Sequence, residues 1–102
     1  MADTLFVYNF CARDVFGQVI PGATVIVLSG DLSSVNTSTQ PGTPLATIYT
    51  DPAGANQVNQ STNPLVTDGF GEVCFCVAKS GYFVLQVYGS GINGQYIRQI
   101  SS

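Results

Sequence analysis

The chain has 102 residues, 45% of them apolar but only 9% charged, for a net charge of −3; an ordinary globular domain carries about 25% charged residues. That length suits a single domain, 1–102, with one modest core. Arg13, Lys79 and Arg98 are the only bases, too few to displace counterions from nucleic-acid phosphates or to dock on an anionic membrane. Histidine is absent, which excludes His-based triads and His metal sites.

Taken in chain order, the sequence shows β patterning and no helical spacing. Val, Ile, Thr, Tyr and Phe fill short runs, and Gly, Pro, Asn and Asp punctuate them. "TLFVYNFCARD" predicts a long first strand from about Thr4 to Arg13, and "FGQVIPG" a turn with a short edge. "ATVIVLS" is nearly all apolar, so it predicts a central strand. "GDLSSVNTSTQPGT" reads as a loop, "PLATIYT" as a third strand, and "DPAGANQVNQSTN" as a long polar loop. "PLVT" is a short strand, "DGFG" a tight turn, and "EVCFCVA" the next strand. "KSG" then turns into "YFVLQVYG", and "SGING" into "QYIRQIS". About seven antiparallel strands in this length predict an all-β, Ig-like, Greek-key-like sandwich.

The stretch 72–88 reads as a hairpin with two apolar faces. Strand side chains alternate, so Val73, Phe75 and Val77 share one face with Phe83, Leu85 and Val87 of the next strand. The reverse face carries Cys74, Cys76, Tyr82, Val84 and Tyr88. It is too apolar for open water, so another segment or another subunit is expected to cover it. These five residues are the expected assembly face.

The same region holds "NPLVTDGFGEVCFCV", which crowds two cysteines, two acids and two glycines together. Cys11, Cys74 and Cys76 make an odd count, without the even pairing of a disulfide scaffold, and are read as small buried apolar residues. A metal site normally takes four ligands, and CxxC spacing is absent. Asp14, Asp51 and Asp68 each precede a glycine by three residues, in "DVFG", "DPAG" and "DGFG". Such an Asp caps its own turn, with Gly17, Gly54 and Gly71 supplying positive φ; a weak calcium site in adjoining loops is the alternative. "GSGING" satisfies GxGxxG, but no helix follows to meet a phosphate. Asn93-Gly94 is read instead as a hairpin turn pair. No catalytic, cofactor or metal residue is assigned.

"MADTLFVYNF" carries Asp3 where a secretory signal has a positive region, so the chain is expected to fold in the cytoplasm where it is made. No stretch reaches the roughly 18 apolar residues of a membrane span. The sequons at Asn36 and Asn59 are read as chance.

"RDVFGQVIPGATVIVL" and "TDGFGEVCFCVAKSGYFVLQV" resemble the two halves of carboxypeptidase regulatory-like and Cna-B-like domains. The joining string "ATIYTDPAGANQVNQSTNPLVTD" is similar to a variant in bacteriophage tail-fibre, neck and other virion proteins. The likeness runs over about residues 5–88 and implies a transthyretin-like β-sandwich that stiffens, displays or assembles. Some Cna-B relatives form an internal isopeptide from a lysine on an early strand. Lys79 instead lies in a predicted turn, so none is expected.

The resemblance therefore implies a non-enzymatic virion component, in capsid decoration, neck, tail or fibre, without a cofactor. Its partners would be itself or other virion proteins, engaged through "TLFVYNF" and "YIRQIS", with loops 29–44 and 51–63 exposed towards host glycans. The alternative is an accessory sandwich that binds carbohydrate or protein. A hydrolase of the transthyretin-like family would need His and a signature C-terminus, and both are missing.

Overall fold

A computed structural model describes residues 5–14, 16–77, 81–89, 92 and 94–101. Among them there is no helix, and so none long and apolar enough to cross a membrane. Among the described residues six strands form two antiparallel sheets. One pairs β1 (Phe6–Cys11) with β4 (Glu72–Val77). The other runs β3 (Leu65–Val66), β2 (Thr24–Ser29), β5 (Tyr82–Tyr88), β6 (Gln95–Ser101). Thr4, Ala78, Lys79 and Asn93, used in the sequence reading, lie outside the described residues.

The two sheets face each other across one core. Phe10, Phe75 and Val77 come from the two-stranded layer, and Val25, Val27, Phe83, Leu85, Val87 and Ile100 from the other. Tyr8 and Phe75 touch within the first layer at 5.5 Å between ring centroids. Phe10 meets Tyr96 of β6 at 6.1 Å. The second contact ties β1 to the opposite layer.

The stretch 72–88 is not a hairpin. β4 pairs with β1, and β5 pairs with β2 and β6. The alternation of side chains is as expected, but the two strands stand in opposite layers. Val73, Phe75 and Val77 thus face Phe83, Leu85 and Val87 across the core instead of lying beside them in one sheet. That arrangement buries both rows against each other.

The expected strand "PLATIYT" forms no regular strand, because it changes layers. At its start Pro44 O accepts from Ser29 N and Ala46 N donates to Val27 O, alongside β2. Three residues after Ala46, Tyr49 exchanges both backbone hydrogen bonds with Cys76 of β4. A segment that serves two sheets cannot keep one ladder, so only isolated bridges remain.

β2 is buried on both faces, as its composition predicts. Val25 and Val27 enter the main core, while Ile26 and Leu28 join Val84 in a second cluster on the outer side of the sheet. Val35, Leu45, Tyr88 and Ile97 pack onto that cluster. Burying an aliphatic side chain of this size is worth about 1.5–3 kcal/mol before the entropy of ordering the cover. The segment 30–45 is held there by Gln86, which is fully buried. Its Oε1 accepts from Gly42 N at 2.7 Å, and its Nε2 donates to Thr39 O at 2.8 Å and to Gln95 Oε1 at 2.6 Å.

The other edge of β2 is closed by three different devices. β3 pairs only with Thr24 and Val25. Next to it, the side-chain amide of Gln60 stands in for a peptide unit. Its Oε1 accepts from Val27 N at 2.7 Å, and its Nε2 donates to Val27 O at 2.9 Å and to Ala46 O at 2.8 Å. The 44–46 backbone then completes the edge. Among the described residues no buried side-chain nitrogen or oxygen lacks a partner, as burial of polar groups requires.

Candidate functional site

The three Asp-x-x-Gly segments share one construction. The carbonyls of Asp14, Asp51 and Asp68 accept from the N–H of Gly17, Gly54 and Gly71 at 3.0, 3.2 and 3.0 Å. Those glycines have φ of 80°, 75° and 75°. Each carboxylate also accepts two backbone N–H groups: Phe16 and Gln18 for Asp14, Ala55 and Asn56 for Asp51, Phe70 and Glu72 for Asp68. The hydrogen bonds from Ala55 and Asn56 hold the Asp51 carboxyl below its usual range. Ser33 and Ser34 do the same for Asp31. Gly94 has φ of 82°.

Cys11, Asp68, Glu72 and Cys74 line a cleft of about 400 Å³ on the outer side of the β1–β4 layer. Its chemistry is limited by its own bonding. Asp68 spends its carboxylate on its turn, and the Cys11 thiol makes a long contact to Phe70 O at 3.6 Å. Cys74 is exposed and Cys76 buried, all three thiols being free. Burial raises the pKa of Cys76, helped by the negative charges that Cys74 and Asp51 would carry, so Cys76 stays a protonated thiol. Among the described residues no group of three or more His, Cys, Asp or Glu side chains is placed to hold a metal ion.

The five residues expected to form one assembly face do not share a face. Cys74 and Cys76 lie on the outer side of one layer, and Tyr82, Val84 and Tyr88 on the outer side of the other. Val84 is fully buried and Tyr88 half-buried beneath the chain's own 30–45 segment, and Cys76 is also buried. Only Cys74 and Tyr82 remain exposed. The expectation that something covers the reverse face of β5 is met by a segment of the same chain.

Exposed apolar side chains instead gather elsewhere. Phe16 and Phe70, in the Asp14 and Asp68 turns, are 85% and 74% exposed. The turns are neighbours, since Ala12 N donates to Gly71 O and Ile20 N to Ala12 O. Phe6 and Val7 at the start of β1 are 46% and 54% exposed. No sequence signal marked Phe6, because its alternation with Tyr8 and Phe10 places it on the core side.

β1 is an open edge. Its outer side has no ladder partner among the described residues from Phe6 to Cys11. The open edge is bounded at its start by Leu5 N donating to Pro52 O, while Ala12, bonded to Gly71 and Ile20, continues the side already paired with β4.

No protein-family model, curated protein or solved structure matches this chain.

Proposed function

We propose that the chain is a non-enzymatic structural subunit that works by packing against other protein, built as an Ig-like, transthyretin-like sandwich. The observation that carries this is the uncharged edge of β1, without a ladder partner among the described residues and with Phe6 and Val7 exposed along it. An edge of that kind is a template for another chain. The low charge of the whole sequence supports the same reading, because uncharged polar surface is cheaper to desolvate. The order of the resembling motifs over residues 5–88 supports a bacteriophage virion setting, in capsid decoration, neck, tail or fibre. There the subunit would be made in the host cytoplasm and carried in the particle. The mass of the purified protein, measured by light scattering over a concentration series, tests the assembly. Oligomers that grow with concentration are expected, and a monomer throughout counts against self-assembly.

A second reading, a module that binds carbohydrate or protein, is favoured by one observation. Two phenylalanines stand out on turns that their aspartates hold rigid. A Phe16→Ser, Phe70→Ser double variant that loses adhesion to cells but keeps its solution mass would favour this reading.

A further inference from the structure

We infer that the open edge of β1 pairs antiparallel with β1 of a second copy, joining two subunits through one continuous sheet. This rests on the assembly reading above and names its surface and its partner. Natural proteins protect free edges with charged side chains, proline or bulges. The sequence of β1, FVYNFC, has no charge, no proline and no glycine. The edge of β6 lies on the same side of the molecule, shown by the Phe10–Tyr96 contact, and carries Arg98. One of two neighbouring edges is therefore guarded and the other is not.

A crevice also opens between the layers at the start of β1. Phe6 and Tyr8 share a crevice of about 170 Å³ with Val77, Phe83 and Ile100. Phe6 points to the core side yet is 46% exposed.

Charge and symmetry choose the occupant. Pairing β1 with itself brings no like charges together, and a two-fold axis lets the same edge serve both copies. An axis perpendicular to the sheet keeps both cores on the same side. Because side chains alternate, it must then pass through a residue pair rather than between two. Centred on Tyr8, it sets Phe6 opposite the second copy's Phe10, and Val7 opposite its Asn9. The exposed aromatic ring at the strand's start is thereby covered.

Area sets the strength. Six residues span about 20 Å, so the edge and its flanks bury a few hundred Å² per copy. That is below the roughly 800 Å² per partner of a standard interface. Association is thus weak for an isolated pair and is populated at the high local concentration of an assembly.

The test combines sedimentation equilibrium from about 10 µM to about 1 mM with hydrogen exchange of the same samples. A monomer–dimer equilibrium is expected, with outward amides of Phe6–Cys11 exchanging more slowly as concentration rises. Val7→Lys, on the exposed side of the strand, is expected to keep the circular dichroism of the parent and weaken the dimer at least about tenfold. A dimer unaffected by Val7→Lys, with protection on the Phe16 and Phe70 turns instead, overturns the edge pairing and leaves the assembly reading standing. A monomer up to about 1 mM overturns the edge pairing and self-assembly together. The exchange measurement needs no variant, so it decides even if Val7→Lys misfolds.

Discussion

The edges of β2 and β1 differ in how they are finished. On the edge of β2 that faces away from β5, no single long neighbour serves the backbone from Thr24 to Ser29. A two-residue strand, a glutamine side chain and a passing loop each supply part of the ladder. Along the outer edge of β1 no described residue supplies a partner from Phe6 to Cys11, although the chain is bonded immediately before and after them. A fold that recruits a side-chain amide to close one edge shows that closure is within its means. The open edge is then a feature of the surface and not a shortage of chain.

Breaking the closed edge should have the largest effect. Gln60→Ala would leave Val27 N and Ala46 O buried and unpaired, while Val27 O keeps Ala46 N. Each orphaned group costs about 1–3 kcal/mol, so a loss of about 3 kcal/mol is expected in urea unfolding. A loss under about 1 kcal/mol would mean that water or a shifted loop replaces the amide.

The two turns packed at the end of β1 come next. Gly71 has positive φ, and a Cβ there would stand 2.9 Å from Ala12 O and 3.0 Å from Ile20 N. Gly17 has the same kind of φ with nothing within 4 Å. Gly17→Ala should cost about 1–2 kcal/mol from the backbone alone. Gly71→Ala should cost more, because backbone must move as well. Equal thermal shifts for the two variants would remove the close packing of the two turns from the account.

Acid should loosen the turn at the start of β1 more gently. The folded pKa of Asp51 lies below its unfolded value of about 3.9. Its stabilising contribution is therefore complete above that value and is lost as pH falls through the folded pKa. Amide resonances of Ala55 and Asn56 should report the loss below about pH 4, before the core unfolds. If they move only with global unfolding, the turn has no separate acid response.

The smallest effect on stability belongs to the open edge itself. Val7→Lys should change monomer stability by no more than about 0.5 kcal/mol, as exposed substitutions do. A loss of about 2 kcal/mol or more would show that Val7 is part of the fold and not of a free surface.

Much of the local structure was legible in the sequence, and the pairing was not. Alternation marked Val73, Phe75, Val77, Phe83, Leu85 and Val87 as one apolar set; five lie buried in the main core, and Val73 packs against it partly buried. Alternation is blind to whether neighbouring strands stand side by side or face to face, so β4 and β5 were wrongly read as a hairpin. Their true partners lie far along the chain, and no local pattern points to them. The Asp-x-x-Gly turns could be read because each one is complete within six residues. Gln60 could not, since a glutamine in a polar loop carries no sign of burial. Gln86 did carry a sign, as an amide in the middle of the apolar run "YFVLQVY".

The placing of β4 and β5 in different layers also bears on the order in which the strands pair. β5 and β6 are close in sequence and can pair by a short turn, whereas β2 must find β5 and β1 must find β4 across most of the chain. Loop closure is paid before such distant pairings reward it, which places all-β chains of this kind in the range of about milliseconds to seconds. The β1–β4 ladder joins partners further apart in the chain than those of β2–β5 or β5–β6, so loop closure predicts that it forms late. The strand with the open edge is on this account the last to settle, and copies of the chain can join along it only after the rest is built.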